Sequence, residues 1–171
     1  MSVNFGDPGV FKGYMRALAE ALRQELPDVS DSRAEFAVDG IPYVFTADPD
    51  GPALFACAVI GALPRDPAAR GRVFAELLHA QFCFSQSCGF CFGVDAEDSF
   101  VLLQSLVNPE CVDERHYVAL AEKFVQTANV WSKRLGESAS AEASASELRS
   151  TADKSADKRG MGNGGDFAIQ V

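Results

Sequence analysis

Residues 33–47 read Arg33-Ala34-Glu35-Phe36-Ala37-Val38-Asp39-Gly40-Ile41-Pro42-Tyr43-Val44-Phe45-Thr46-Ala47. Ala34, Phe36 and Val38 alternate with Arg33, Glu35 and Asp39, and Ile41, Tyr43 and Phe45 resume the period after the break. Alternation of period two marks a strand with one wet face. Asp-Gly between two such runs is a two-residue hairpin signal. The domain is therefore built around antiparallel pairing.

Working outward, the period on the N-terminal side is helical. Asp7-Pro8 offers an N-cap followed by proline at the first helical position. Phe11, Tyr14, Met15, Leu18, Leu22 and Leu26 then recur at steps of three and four, and Pro27 is expected to end the helix. On the C-terminal side, the turn residues Asp48-Pro49-Asp50-Gly51-Pro52 precede Ala53–Ile60, apolar at every position. That run is too short to span a membrane and reads as a central strand buried on both faces. Asp66-Pro67 repeats the cap of the first helix, and Val73, Phe74, Leu77, Leu78 and Phe82 give this second helix a wide apolar surface. One sheet needs a single stripe from a covering helix, so the excess points to self-association. Cys88, Phe90, Phe92 and Val94 alternate as another strand, and Phe100–Val107 forms the next, ended by Asn108-Pro109. A last helix capped near Asp113 carries Tyr117, Leu120, Phe124, Ala128, Trp131 and Leu135. The expected order is α-β-β-β-α-β-β-α. Strands in consecutive groups predict an α+β fold with an antiparallel twisted sheet and helices packed on it.

Composition divides the chain near Leu135. Of 13 Phe, 12 precede residue 136, as do the Trp, all three Tyr and all five Cys. Residues 1–135 form the expected domain. Residues 136–171 are rich in Ser, Ala and Gly and read as a flexible tail, because such a composition buries too little apolar surface to offset chain entropy. The closing Phe167-Ala168-Ile169-Gln170-Val171 alternates like a strand. The chain carries 15 basic and 24 acidic side chains, a net charge of −9. A negative domain without a basic cluster repels phosphate backbones and anionic lipid, so neither nucleic acid nor a membrane is an expected partner. The N-terminus lacks the basic region and apolar run of a secretory signal, so a cytoplasmic location with free thiols is expected.

The cysteines need a separate answer. Cys83, Cys88 and Cys91, with Cys111 further on, match the C-x4-C-x2-C…C spacing of plant-type iron–sulfur proteins. Cys88-Gly89-Phe90-Cys91 also matches the C-x-x-C redox pattern. A small iron–sulfur or thiol-redox protein is therefore the alternative reading. Against it, the thiols sit among Phe82, Phe84, Phe90 and Phe92, and a strand would point Cys88 and Cys91 to opposite faces. Buried cysteine serves equally well as a small hydrophobe. His79 and His116 lack partners at zinc spacing. No phosphate-binding loop, nucleophile elbow or zinc-protease motif occurs. No cofactor, no small-molecule substrate and no catalytic residue are expected. A binding module remains, whose edge hairpin over Arg33–Ala47 can accept an extended peptide by strand addition.

The order of elements resembles the class I type III secretion chaperones, the Tir-chaperone-like family of Gram-negative bacteria, over residues 5–135. Leu77-Leu78-His79-Ala80-Gln81-Phe82 looks like the family's "LLxANF" ending of the second helix. Gly93-Val94-Asp95 looks like its "LGLD" strand end, Val101-Leu102-Leu103-Gln104 like the following strand, and Leu120 to Trp131 like its closing helix. The long tail and the Phe/Cys-rich stretch 82–92 depart from the family pattern. The resemblance implies a homodimer joined largely through the second helix and an adjoining strand, with Val73, Phe74, Leu77 and Phe82 as candidates. It also implies a groove that holds the N-terminal segment of a secreted effector in extended form without nucleotide. The candidates carried over for that groove are Phe11, Leu18, Phe36, Val38, Tyr43 and Phe45.

Overall fold

The Asp39-Gly40 turn has both residues at positive φ, 52° and 80°. This is type I′ geometry, whose twist matches that of the flanking strands. Val38 accordingly pairs with Ile41, and the register runs on to Arg33 opposite Thr46. In the computed structural model the described residues are 4–30, 32–48, 51–97, 99–108, 113 and 115–137. The chain divides into two units, Met1–Gly136 and Glu137–Val171, and the fold is that of the first. Of the expected flexible tail 136–171, residues 138–171 with the strand-like end lie outside the described residues, and residues 136 and 137 are helical.

The elements are α1 (Pro8–Leu22), β1 (Val29–Ser30), β2 (Arg33–Val38), β3 (Ile41–Ala47), β4 (Leu54–Ala62), α2 (Pro67–Gln81), β5 (Cys91–Val94) and β6 (Phe100–Val107). A last helix, α3, covers residues 115–137. The strands form one antiparallel sheet in the order β1-β2-β3-β4-β6-β5. The α+β expectation holds, with one addition: the two-residue β1 precedes the hairpin.

Cap chemistry sets the helix starts. The Asp7 carboxylate accepts from the Gly9 and Val10 N–H groups at 2.8 and 3.4 Å, and Asp66 accepts from Ala69 at 2.8 Å. Asp113 does the same for His116 at 2.9 Å. Each satisfies N–H groups that have no partner within the helix. α1 stops earlier than Pro27 requires. Arg23 adopts a left-handed conformation and its N–H returns to Ala19 and Glu20 carbonyls, leaving Leu26 outside the helix.

Core side chains lie on one face of the sheet. Ala34, Phe36, Val38, Ile41, Tyr43, Phe45, Leu54, Ala56, Ala58, Ile60, Val101 and Leu103 are buried. α3 crosses this face. Phe124 meets Tyr43 and Phe90 edge-on at 6.1 and 5.0 Å, Trp131 meets Phe92 at 4.8 Å, and Leu135 reaches Gly61. α1 joins it through the Phe5, Tyr14 and Tyr117 rings. Burial pushes the Tyr43 and Tyr117 phenols well above their ordinary pKa, with Asp39 adding to the first and Tyr14 to the second.

Two expectations are corrected here. β4 is not buried on both faces: Leu54, Ala56, Ala58 and Ile60 are, whereas Phe55 is exposed and Cys57 and Val59 are half-buried. Its second face has no covering helix among the described residues. The strand expected from Cys88 begins only at Cys91, because Cys88 and Gly89 form a turn with φ of 57° and 94°, closed by a Phe90 N–H to Ser87 carbonyl bond.

Candidate partner-binding surfaces

The six residues expected to line an open groove are core residues. Phe11 and Leu18 have no accessible surface, Tyr43 and Phe45 retain 1 %, and Phe36 and Val38 lie at the edge of the same cluster. The physical reason is their phase. Every one falls on the single apolar stripe of its element, and a lone stripe is consumed by the protein's own helices. Phe36 and Phe45 meet edge-on at 5.7 Å within that core.

The apolar surface lies instead where both faces of a strand are apolar. On the open face, Phe55 stands directly across from Leu106, Val59 from Leu102, and Cys57 from Gln104. Phe100 shares this face through the period of β6. Phe55, Phe100 and Leu106 are exposed, Leu106 to 72 %. Arg33 and Glu35, paired at 2.7 Å, bound the patch on the β2 side. The sequence signal was present: in Ala53–Ile60 and Phe100–Val107 apolar residues occupy both phases of the alternation.

A second surface is built by α2 and β5. Val73 and Leu77, two of the four residues expected to mediate self-association, are buried beneath the helix. Phe74 is half-buried and Phe82 is 75 % exposed, next to Leu78. Phe74, Leu77, Leu78, Gln81, Phe92, Gly93 and Val94 line an apolar groove of about 260 Å³. The connection from α2 to β5 extends this surface. It displays Phe82 and Phe84 and holds Cys83, Phe84 and Cys88 at φ of 52°, 53° and 57°. Left-handed non-glycine residues are unfavourable unless neighbouring contacts hold them. Gln86 supplies such contacts: Trp131 Nε1 donates to its carbonyl at 3.2 Å and Arg134 Nη1 to its side chain at 3.0 Å. Arg134 also pairs with Glu76 of α2 and lies 4.7 Å over the Trp131 ring.

The cysteines do not assemble into a metal centre among the described residues. Cys57, Cys83, Cys88 and Cys91 are free thiols, and Cys111 lies outside the described residues. Burial raises the Cys57 pKa and so disfavours the reactive thiolate, only partly offset by a hydrogen bond with Gln104. No described helix is long and apolar enough to cross a membrane.

An antiparallel sheet packed on one face by two helices, with an apolar second face and an apolar helix at its edge, is the architecture of a protein-binding module. Residues 14–132 match the model of the Tir chaperone protein (CesT) family, so the chain belongs to that family. Its fold is that of the type III secretion chaperones. It superposes on the HopA1–SchA chaperone–effector complex with a TM-score of 0.55 and 12 % identity, covering 74 % of this chain and 93 % of that one. For the ExoU–SpcU complex of the Pseudomonas aeruginosa type III secretion system the values are 0.53, 17 %, 72 % and 94 %. For the Yersinia pestis type III secretion chaperone SycH, bound to a fragment of YscM2, they are 0.51, 15 %, 71 % and 98 %. Among curated proteins searched by sequence, none matches.

Proposed function

We propose that this protein is a class I type III secretion chaperone that acts as a cytoplasmic homodimer. It keeps the N-terminal segment of a secreted effector extended, soluble and competent for export, without nucleotide. The observation that carries the reading is the Phe55–Leu106 pair on a sheet face that no described helix covers. A folded monomer gains nothing from exposing such a pair, whereas an unfolded client segment gains burial there. The α2–β5 groove receives the second copy, and the outer edge of β2 beyond β1 offers main-chain groups to an extended client. Ordering the client opposes binding by about 2–5 kcal/mol, so a broad apolar face is needed to offset it. The negative net charge favours a basic segment and keeps the loaded chaperone dispersed.

The test is co-expression with the secreted protein encoded beside this one. Wild-type chain retains that protein in a soluble complex, and Phe55→Asp or Leu106→Asp releases it while the chaperone stays folded. Equal capture by both variants removes the open face from the site. Phe45→Asp is unsuitable, because it places a charge in the core and unfolds the domain.

A further inference from the structure

The free edge of β5 is already occupied by a side chain. Gln81, the last residue of α2, accepts from the Phe92 N–H through Oε1 at 2.9 Å. Its Nε2 donates to the Phe90 carbonyl at 3.1 Å. Phe92 therefore turns its main-chain groups away from β6, whereas Cys91 and Gly93, on either side of it, direct theirs inward to Gln104 and Leu102. One amide that bonds the carbonyl of one residue and the N–H of the residue two further on reproduces a neighbour in a parallel ladder. The Gln81 side chain stands in for one residue of a seventh strand.

An uncovered edge is a template for further pairing, and proteins block edges by several devices. At the other end of the sheet the edge is treated differently. β1 covers only Arg33 and Ala34, and Glu35–Val38 have no outer strand among the described residues. Among the described residues, a side chain occupies the β5 edge at Phe90 and Phe92, whereas the β2 edge is open over Glu35–Val38.

We propose that Gln81 is a specificity-determining residue that seals β5 against strand addition. A partner at this end is thereby confined to side-chain contact with the α2–β5 groove, and an extended segment is directed to β2. The proposal rests on the chaperone reading for the identity of those partners, but the seal itself is a property of the single chain.

The experiment measures amide exchange by NMR and molar mass by light scattering on the full chain, each relative to wild type. Q81L keeps the side-chain bulk and removes both hydrogen bonds. Phe92 N–H exchange is expected to accelerate about five- to tenfold, with Cys91 and Gly93 unchanged as internal controls. Its mass is expected to rise above that of wild type as edges pair. Q81E still accepts from Phe92 and adds an edge charge, so Phe92 exchange stays near wild type and the mass does not rise above it. If Q81L does not fold, Q81N, one methylene too short to span both groups, gives the same comparison. Unchanged Phe92 exchange overturns the hydrogen-bonded cap, and faster exchange without a rise in mass overturns the seal. A monomeric wild-type chain counts against the proposed dimer alone, since the variants are read against wild type whatever its size.

Discussion

Helices α1 and α2 are each fifteen residues long, and each starts with Asp-Pro and a carboxylate cap. They nevertheless end in opposite circumstances. α1 buries Phe11, Tyr14, Met15, Leu18 and Ala19 in the core. α2 buries mainly small residues, Ala69, Val73, Leu77 and Ala80, and leaves Leu78 72 % exposed with Phe82 beyond it. The difference therefore lies not in how the helices begin but in what their stripes meet. α1 meets α3 and the covered sheet face, whereas α2 lies beside the edge strand β5 and leaves Leu78 exposed. A helix covered by its own domain and one with apolar residues left exposed can share the same local sequence grammar.

The comparison can be broken most sharply in α1. Phe11→Ala opens a cavity at a site with no accessible surface and should lower stability by about 3–5 kcal/mol, measured by denaturant unfolding. A loss below about 1 kcal/mol would contradict its placement in the core. In α2, Leu78→Asp should leave the fold within about 0.5 kcal/mol of wild type. It should weaken self-association by about thirtyfold or more, the range of a central interface residue. Sedimentation equilibrium reads the second effect. A stability loss as large as that of Phe11→Ala would show that Leu78 is core.

Smaller effects sharpen the same contrast. Asp7→Ala and Asp66→Ala should each cost about 1 kcal/mol, because both carboxylates satisfy N–H groups at a helix start. Unequal losses would place part of the difference between the helices in their caps. The smallest effect concerns the turn joining β5, beside α2, to β6. The N–H groups of Phe100 and Ser99 hold the Asp95 carboxyl below its ordinary pKa. A depressed pKa stabilises the fold above the unfolded value near 4 and loses that contribution as pH falls through the lowered value. Asp95→Asn should therefore flatten the acid limb of a stability–pH curve by lowering its neutral plateau slightly, with the variant and wild type converging as pH falls below about 4.

Much of this was legible because it is local. Asp39-Gly40 specified its turn, and Asp7, Asp66 and Asp113 specified helix starts, since each acts on backbone groups within three residues. The surfaces were not legible in the same way. Phe36 and Phe45 looked like groove residues because apolar composition does not reveal which side chains a distant helix covers. β4 looked doubly buried for the converse reason: Phe55 has the residue type of a core position, but nothing in residues 53–60 tells that its face stays open. The informative pattern was apolarity out of phase with the covered stripe, at Phe55, Val59, Leu102 and Leu106. The start of β5 was misplaced because alternation continues through Cys88, whereas its positive φ depends on the turn that Gln86 and Trp131 anchor.

The central claim is that the outward half of α2 is completed by a second copy of the chain. Light scattering of the purified wild-type chain tests it most directly. The account predicts a molar mass twice the 18.3 kDa of one chain, falling to the single-chain value in Leu78→Asp. A wild-type chain that stays at 18.3 kDa at the concentrations where it captures its client would contradict it.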